Sequence, residues 1–255
     1  MKKIILLLGV LTILFLVFVY VGKTKEQSFK ESSAAIENEV KEVKNEVSFK
    51  DKRYLYELVK VENIEKLSLI PNFDTKVRSG EAYENNNCRL LVNTGFYAEG
   101  GKAIGLFIYD NKILNKWTNN LLLDGVLSIN DFYTPRITRS VPEDHLQIGV
   151  QSGPILKENG KNISLTIKND KPERRVVAGI TGENTLYFLV LYDKNQNFAG
   201  PLLSELPEAL AKIEDREMIL FADTINLDGG TASTFMTKDL KLSEITPVGG
   251  FFCLK

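Results

Sequence analysis

Histidine is almost missing from this chain of 255 residues: His145, in Pro142-Glu143-Asp144-His145, is the only one. A Ser-His-Asp triad or a histidine-based zinc site would need more partners, so His145 reads as a surface residue. No G-x-S-x-G, Walker or Rossmann fingerprint occurs. Ser152 lies between Gln151 and Gly153, but Val150 holds the place where a nucleophile elbow has glycine. Cysteine is limited to Cys88 and Cys253, which allow one pairing or two separate buried thiols. An excess of positive charge is lacking as well. Setting aside the first 23 residues, which hold three lysines and no acid, leaves 29 basic residues against 33 acidic. That balance gives no reason to expect nucleic acid as a partner. The residues imply no cofactor and no metal.

Long apolar runs are absent after the N-terminus, where one stands alone. Ile4 to Val21 is apolar behind Lys2 and Lys3. As a helix it is just long enough to cross a bilayer core. No small-residue cleavage site follows, so the expectation is a signal anchor over residues 1–23. The N-terminus then stays in the cytoplasm and the main domain lies outside it, at the cell surface or in a periplasm. A cleaved signal peptide is the alternative. Residues 24–50 are rich in Lys, Glu, Ser and Asn. Ile36, Val40, Val43 and Val47 recur at helical spacing, which suggests a charged, partly helical stalk.

Residues 51–255 are long enough for one domain with its own core. The apolar segments are short and end in turn residues. Ala103–Tyr109 and Lys112–Trp117 flank Asp110-Asn111, and Arg175–Ile180 and Thr185–Tyr192 flank Thr181–Asn184; both read as hairpins. Asp124-Gly125 reads as a turn, Ile163–Ile167 as a strand by its alternation, and Glu217–Ile225 as a buried strand. Leu203, Leu206, Leu210 and Ile213 mark one helix, with Ser204 as cap and Pro207 early, where proline is tolerated. The predicted fold is α+β: a single globular domain rich in antiparallel β-hairpins with inserted helices. In such a fold the strand after Cys88 and the strand holding Cys253 can be neighbours.

Three polar-glycine segments punctuate these elements. They are Asn93-Thr94-Gly95-Phe96-Tyr97, Gln151-Ser152-Gly153-Pro154 and Asn226-Leu227-Asp228-Gly229-Gly230. Each suits a turn where bare backbone and one polar side chain meet a ligand. Amides offer both donors and acceptors, as sugar hydroxyls require. The two glycines after Asp228 can expose backbone N–H groups as an anion-binding concavity. Asp228 capping its own turn is the plain alternative.

In this order, the segments resemble the phosphodiester glycosidase family. The likeness also takes in Gly105-Leu106, Leu156 with Gly160, Arg175 with Gly179, and Ser233, and covers roughly residues 55–255. Thr94, Tyr97 and the pair Thr231-Ala232 depart from the family pattern. The resemblance implies a hydrolase that cleaves a sugar-1-phosphodiester in a cell-envelope or glycan substrate. Asp228 would be catalytic. Asn93, Gln151, Ser152, Gly153, Arg175, Asn226, Gly229 and Gly230 would bind substrate, with Arg175 meeting phosphate through its fork. Arg174 is the rival for that role. A second carboxylate remains open among Glu99, Asp131, Glu143 and Asp144. A non-catalytic glycan-binding module and an exopolysaccharide glycosidase are the competing readings.

Overall fold

The computed structural model describes residues 45–98 and 102–255. The predicted membrane span and residues 24–44 of the predicted stalk lie outside the described residues. Among the described residues no helix is long and apolar enough to cross a membrane.

The short apolar runs become strands in three antiparallel sheets. The first holds β1 (Glu46–Phe49), β2 (Lys52–Lys60), β10 (Ile155–Glu158), β11 (Lys161–Asn162), β12 (Arg175–Thr181), β13 (Leu186–Asp193) and β14 (Phe221–Asn226), in the order β1-β2-β13-β12-β14-β10-β11. The second holds β3 (Leu67–Pro71), β4 (Leu90–Asn93), β15 (Phe235–Met236), β16 (Lys241–Leu242) and β17 (Gly250–Leu254), in the order β16-β15-β4-β17-β3. The third holds β5 (Phe107–Tyr109), β6 (Lys112–Asn115), β7 (Gly125–Asn130), β8 (Pro135–Thr138) and β9 (Leu146–Ser152), in the order β6-β5-β9-β7-β8. Among the described residues two α-helices are inserted, α1 (Ser79–Asn85) and α2 (Leu206–Glu217).

Both predicted hairpins form. Asp110 and Asn111 take φ of 49° and 59°, the left-handed pair that a two-residue turn between right-twisted strands requires. In β12–β13, Val177 pairs with Leu189 and Gly179 with Tyr187. Alternate residues of these strands point to opposite faces, and both faces are buried. Val176, Ala178, Phe188 and Val190 face a central core. Val92, Phe235 and Phe252 of the second sheet and Phe107, Leu127 and Val150 of the third face the same core. Val177, Leu189 and Leu191 face the other way, onto Leu206, Leu210 and Ile213 of α2. Each of those three helix side chains, when fully buried, contributes about 1.5–3 kcal/mol. Lys157 and Glu214 make a buried ion pair at 2.6 Å, and Glu214 also accepts from Phe221 N at 2.8 Å. The helix is thereby tied to β10 and β14.

The second sheet confirms the neighbouring cysteine strands. Cys253 in β17 pairs with Leu91 in β4, and Cys88 is disulfide-bonded to Cys253 with Cα atoms 5.4 Å apart.

Several sequence expectations need correction. Val47 and Phe49, assigned to the stalk, are core residues of β1, so the body begins before residue 51. Glu217 ends α2 and does not open a strand; Met218 follows at φ 54°, and β14 starts at Phe221. Ile163, Leu165 and Ile167 do face inward, but beyond β11 their segment has no strand partner, so their alternation produces packing without a ladder. Ser204 is not the helix cap. A 3₁₀ turn over Leu203–Glu205 precedes α2, and its N–H groups are met from outside: Asp170 accepts from Leu203 N at 2.9 Å and Ser204 N at 2.8 Å. Asp124-Gly125 is shorter as a turn than predicted, since Gly125 already belongs to β7.

Candidate functional site

The three polar-glycine segments meet. Asn226 ends β14 beside Val177 of β12, and Ser152 ends β9 just before β10. Gly153 N and Ser152 Oγ both donate to Asn226 O, at 3.0 and 2.8 Å, and Asn226 Nδ2 donates back to Gly153 O at 2.9 Å. Asn93 Nδ2 donates to Asp228 O at 2.9 Å, and Asn93 Oδ1 accepts from Thr234 N at 2.9 Å. Gln151 spans a loop: its Oε1 accepts from Leu106 N and Thr118 N, and its Nε2 donates to Thr118 O and Leu123 O. Gly95 is required because a Cβ there would stand 2.4 Å from Gln151 O. Asn93, Gln151 and Ser152 are therefore buried scaffolding with their side chains committed to backbone partners. The predicted substrate contact by these three is not what the structure shows.

Of the remaining predicted residues, Gly153 stays outside, and four meet at an open cleft of about 200 Å³. Asn226, Asp228, Gly229 and Arg175 line it, and Phe96, Leu122, Ile167 and Leu203 supply apolar wall. Gly230 lies just behind, with φ 58° and its N–H donating to Arg174 O at 2.9 Å. Gly229 must be glycine, since a Cβ would meet Arg174 O at 2.6 Å.

Asp228 Oδ1 accepts from Gly229 N at 2.8 Å. Burial pushes its carboxyl up to about 7; that hydrogen bond and Arg175 act against the rise, and the charge of Glu173 adds to it. Glu173 lines the same cleft, with Oε2 3.9 Å from Arg175 NH1. Of the four acids weighed from sequence, Asp131, Glu143 and Asp144 do not line it, and Glu99 lies outside the described residues. Glu173 was missed because its stretch, Asn169–Glu173, matches no motif; its place beside two arginines that lead into a strand was the available signal. Asn226 Oδ1 is buried and has no hydrogen-bond partner, while the rest of its amide is spent on Gly153.

The two arginines divide the work by strand alternation. Arg174 is fully buried and donates Nε to Ser233 Oγ at 2.8 Å and NH2 to Ser243 O at 3.0 Å, with Ser233 O a further acceptor. Burial pulls its guanidinium down to about 10, still cationic at neutral pH. It braces the turn after Asp228 from below. Arg175 faces the cleft. Burial lowers it too, opposed by Glu173, Asp170 and Asp228. Thr231 and Ala232, the departing pair, lie in a 3₁₀ turn over Gly230–Ala232 outside the cleft lining, and Ser233 still bonds to Gly230 O at 2.7 Å.

Residues 86–250 match the model of the phosphodiester glycosidase family. Among curated proteins none matches the chain. The solved structures include similar folds. One is the catalytic domain of zebrafish N-acetylglucosamine-1-phosphodiester alpha-N-acetylglucosaminidase, auto-inhibited by its pro-peptide. It has 14% identity and a TM-score of 0.64, over 82% of this chain and 80% of that one. Another is a hypothetical protein from Synechocystis, with 11% identity and a TM-score of 0.59, over 82% of this chain and 60% of that one. At such identities these likenesses speak for the fold alone.

Proposed function

From the premise that the chain belongs to the phosphodiester glycosidase family, we propose that it hydrolyses a sugar-1-phosphodiester between the anomeric carbon and the phosphate-bearing oxygen. The observation that carries this reading is Asp228. It is a carboxyl poised near neutrality in a cleft that also holds a second carboxylate and a guanidinium.

The leaving group is a phosphate monoester, which departs far more easily than an alcohol and has little need of a general acid. Water must instead be activated and positive charge at the anomeric carbon supported. Asp228 accepts the proton of the attacking water as the new C–O bond forms. The old C–O bond breaks, and its electron pair leaves with phosphate. A group with a pKa near the working pH suits that base. Glu173 supports the developing cation and tunes Asp228. Arg175 NH1 stands 3.9 Å from Glu173 Oε2, and the charge of the same guanidinium acts on Asp228. Phe96 and Leu122 offer an apolar wall to a sugar face.

The decisive experiment is a panel of sugar-1-phosphodiesters and aryl glycosides, assayed with the native chain and Asp228→Asn. Turnover of a phosphodiester that falls about 10²–10⁴-fold in the variant supports the reading. Equal turnover by the two proteins excludes it.

The proposed site of action is outside the cytoplasm, with residues 4–21 as a membrane anchor. The Cys88–Cys253 bond suits an oxidising compartment. Protein recovered from membranes should retain Met1 or Lys2; a soluble form beginning near Lys23 rejects the anchor.

A further inference from the structure

A phosphodiester carries negative charge wherever it binds, so the cleft needs a cation free to meet it. Arg175 does not fill that need. Its Nε donates to Pro201 O at 3.0 Å, and its NH2 donates to Lys171 O at 2.5 Å and Asp170 Oδ1 at 3.4 Å. Bidentate recognition of phosphate takes two adjacent N–H groups of one guanidinium edge. Nε and NH2 are both committed, and NH1 stands 3.9 Å from Glu173 Oε2, with the charge of Asp228 acting on the same guanidinium. A phosphate placed at NH1 would face two acids of its own sign.

Lys171 is differently placed. It lines the cleft, is exposed, and has no acidic partner among the described residues. Its backbone is fixed to the site, because its carbonyl oxygen is the acceptor for Arg175 NH2. The neighbouring acid, Asp170, already has partners of its own in Arg175 and the N–H groups of Leu203 and Ser204. Burial alone would raise its carboxyl, but the N–H groups of Ser204 and Leu203 and the charge of Arg175 hold it below the ordinary range. The charge of Lys171 is thus left open to a ligand, on a flexible stem that carries it as a point charge.

We propose that Lys171 is the phosphate-recognising cation of this cleft, and that Arg175 is spent on Glu173 and on the Asp170–Lys171 turn. The assignment rests on the cleft being the substrate site proposed above, and it sets the ligand class as an anionic sugar phosphate.

Isothermal titration of the detergent-solubilised full chain with glucose 1-phosphate, N-acetylglucosamine 1-phosphate and inorganic phosphate tests it. Methyl glucoside serves as the neutral control. The native protein should bind at least one of the anions. Lys171→Gln should weaken that binding about tenfold, the loss of one charge-assisted hydrogen bond, and Lys171→Arg should largely restore it. Added salt should weaken binding to the native chain and have little effect on the glutamine variant. Equal anion binding by native and Lys171→Gln proteins overturns the proposal, as does failure of the native protein to bind any of these anions. Lysine-dependent binding without phosphodiester turnover keeps this anion site and defeats the hydrolase reading.

Discussion

The hydroxyls of Thr94 and Tyr97 hydrogen-bond to each other. These are the two residues at which the Asn93–Tyr97 segment departs from the family pattern. Thr94 Oγ1 also reaches Gly250 O at 3.2 Å, and Thr94 O accepts from Asp228 N at 3.4 Å. Burial and the nearby charge of Asp228 hold the Tyr97 phenol well above its ordinary value, so it remains a neutral donor. Thr94 keeps Gly250 O as a second partner, whereas the Tyr97 hydroxyl meets Thr94. Together they answer one another, next to the turn that carries Asp228.

A double-mutant cycle should expose that coupling. Tyr97→Phe and Thr94→Ala should each destabilise by about 1 kcal/mol, and the double variant should cost less than their sum. Urea unfolding of the four proteins measures it. Strict additivity would show the two hydroxyls to be independent.

Asp228 should lower stability at high pH. Its folded pKa of about 7 lies above the ordinary 3.8. The favourable contribution is therefore fully present below about pH 4 and is lost as pH rises through 7. Asp228→Asn mimics the neutral acid and keeps an oxygen for Gly229 N. At pH 8 the variant should be more stable than the native chain by up to about 4 kcal/mol, with the difference gone near pH 4. Chemical denaturation at the two pH values decides; a less stable variant at pH 8 would mean that Asp228 merely caps its turn.

Glu173 should set part of the pH profile. If Asp228 is the base, turnover rises with pH through about 7, following its ionisation. Glu173→Gln removes a charge that raises Asp228, so the midpoint of that limb should move to lower pH. A pH–rate curve on a sugar-1-phosphodiester reads the shift. An unmoved midpoint would separate Glu173 from Asp228.

The disulfide should matter for stability and leave the chemistry alone. It joins residues 165 apart in sequence and lies away from the cleft lining. In the chain-entropy view its loss costs about 5 kcal/mol. Denaturation with and without reductant should show a lowered midpoint, while turnover under native conditions stays the same.

The hairpins were legible because their turns are chemical: Asp110-Asn111 and Thr181–Asn184 announce themselves locally. Helix α2 was legible from its apolar spacing, although its start was not. The N–H groups at that start are met by Asp170, which is far away in sequence and carries no helical signal. The site was partly legible for the same reason. Asp228, Asn226 and the glycines stand in a recognisable string. Whether an amide touches a ligand or a backbone, however, depends on what the fold brings beside it. Asn93 and Gln151 turned inward because neighbouring loops present bare N–H and C=O groups to them. Glu173 and Lys171 had no motif at all, since a turn held by backbone contacts needs little from its side chains.

The two consecutive arginines have a bearing on which changes of length the chain tolerates. One guanidinium points under the turn after Asp228 and the next points into the cleft, so the parity of the strand decides which is which. Adding or deleting a single residue just before β12 would exchange their stations. The brace would then hang in the cleft and the guanidinium that lines it would be thrust into the interior, with composition almost unchanged. Length variation among functional relatives should therefore gather in distant turns such as Gly182–Asn184, where a Cβ on Gly182 would meet open space, and should avoid the approach to Arg174.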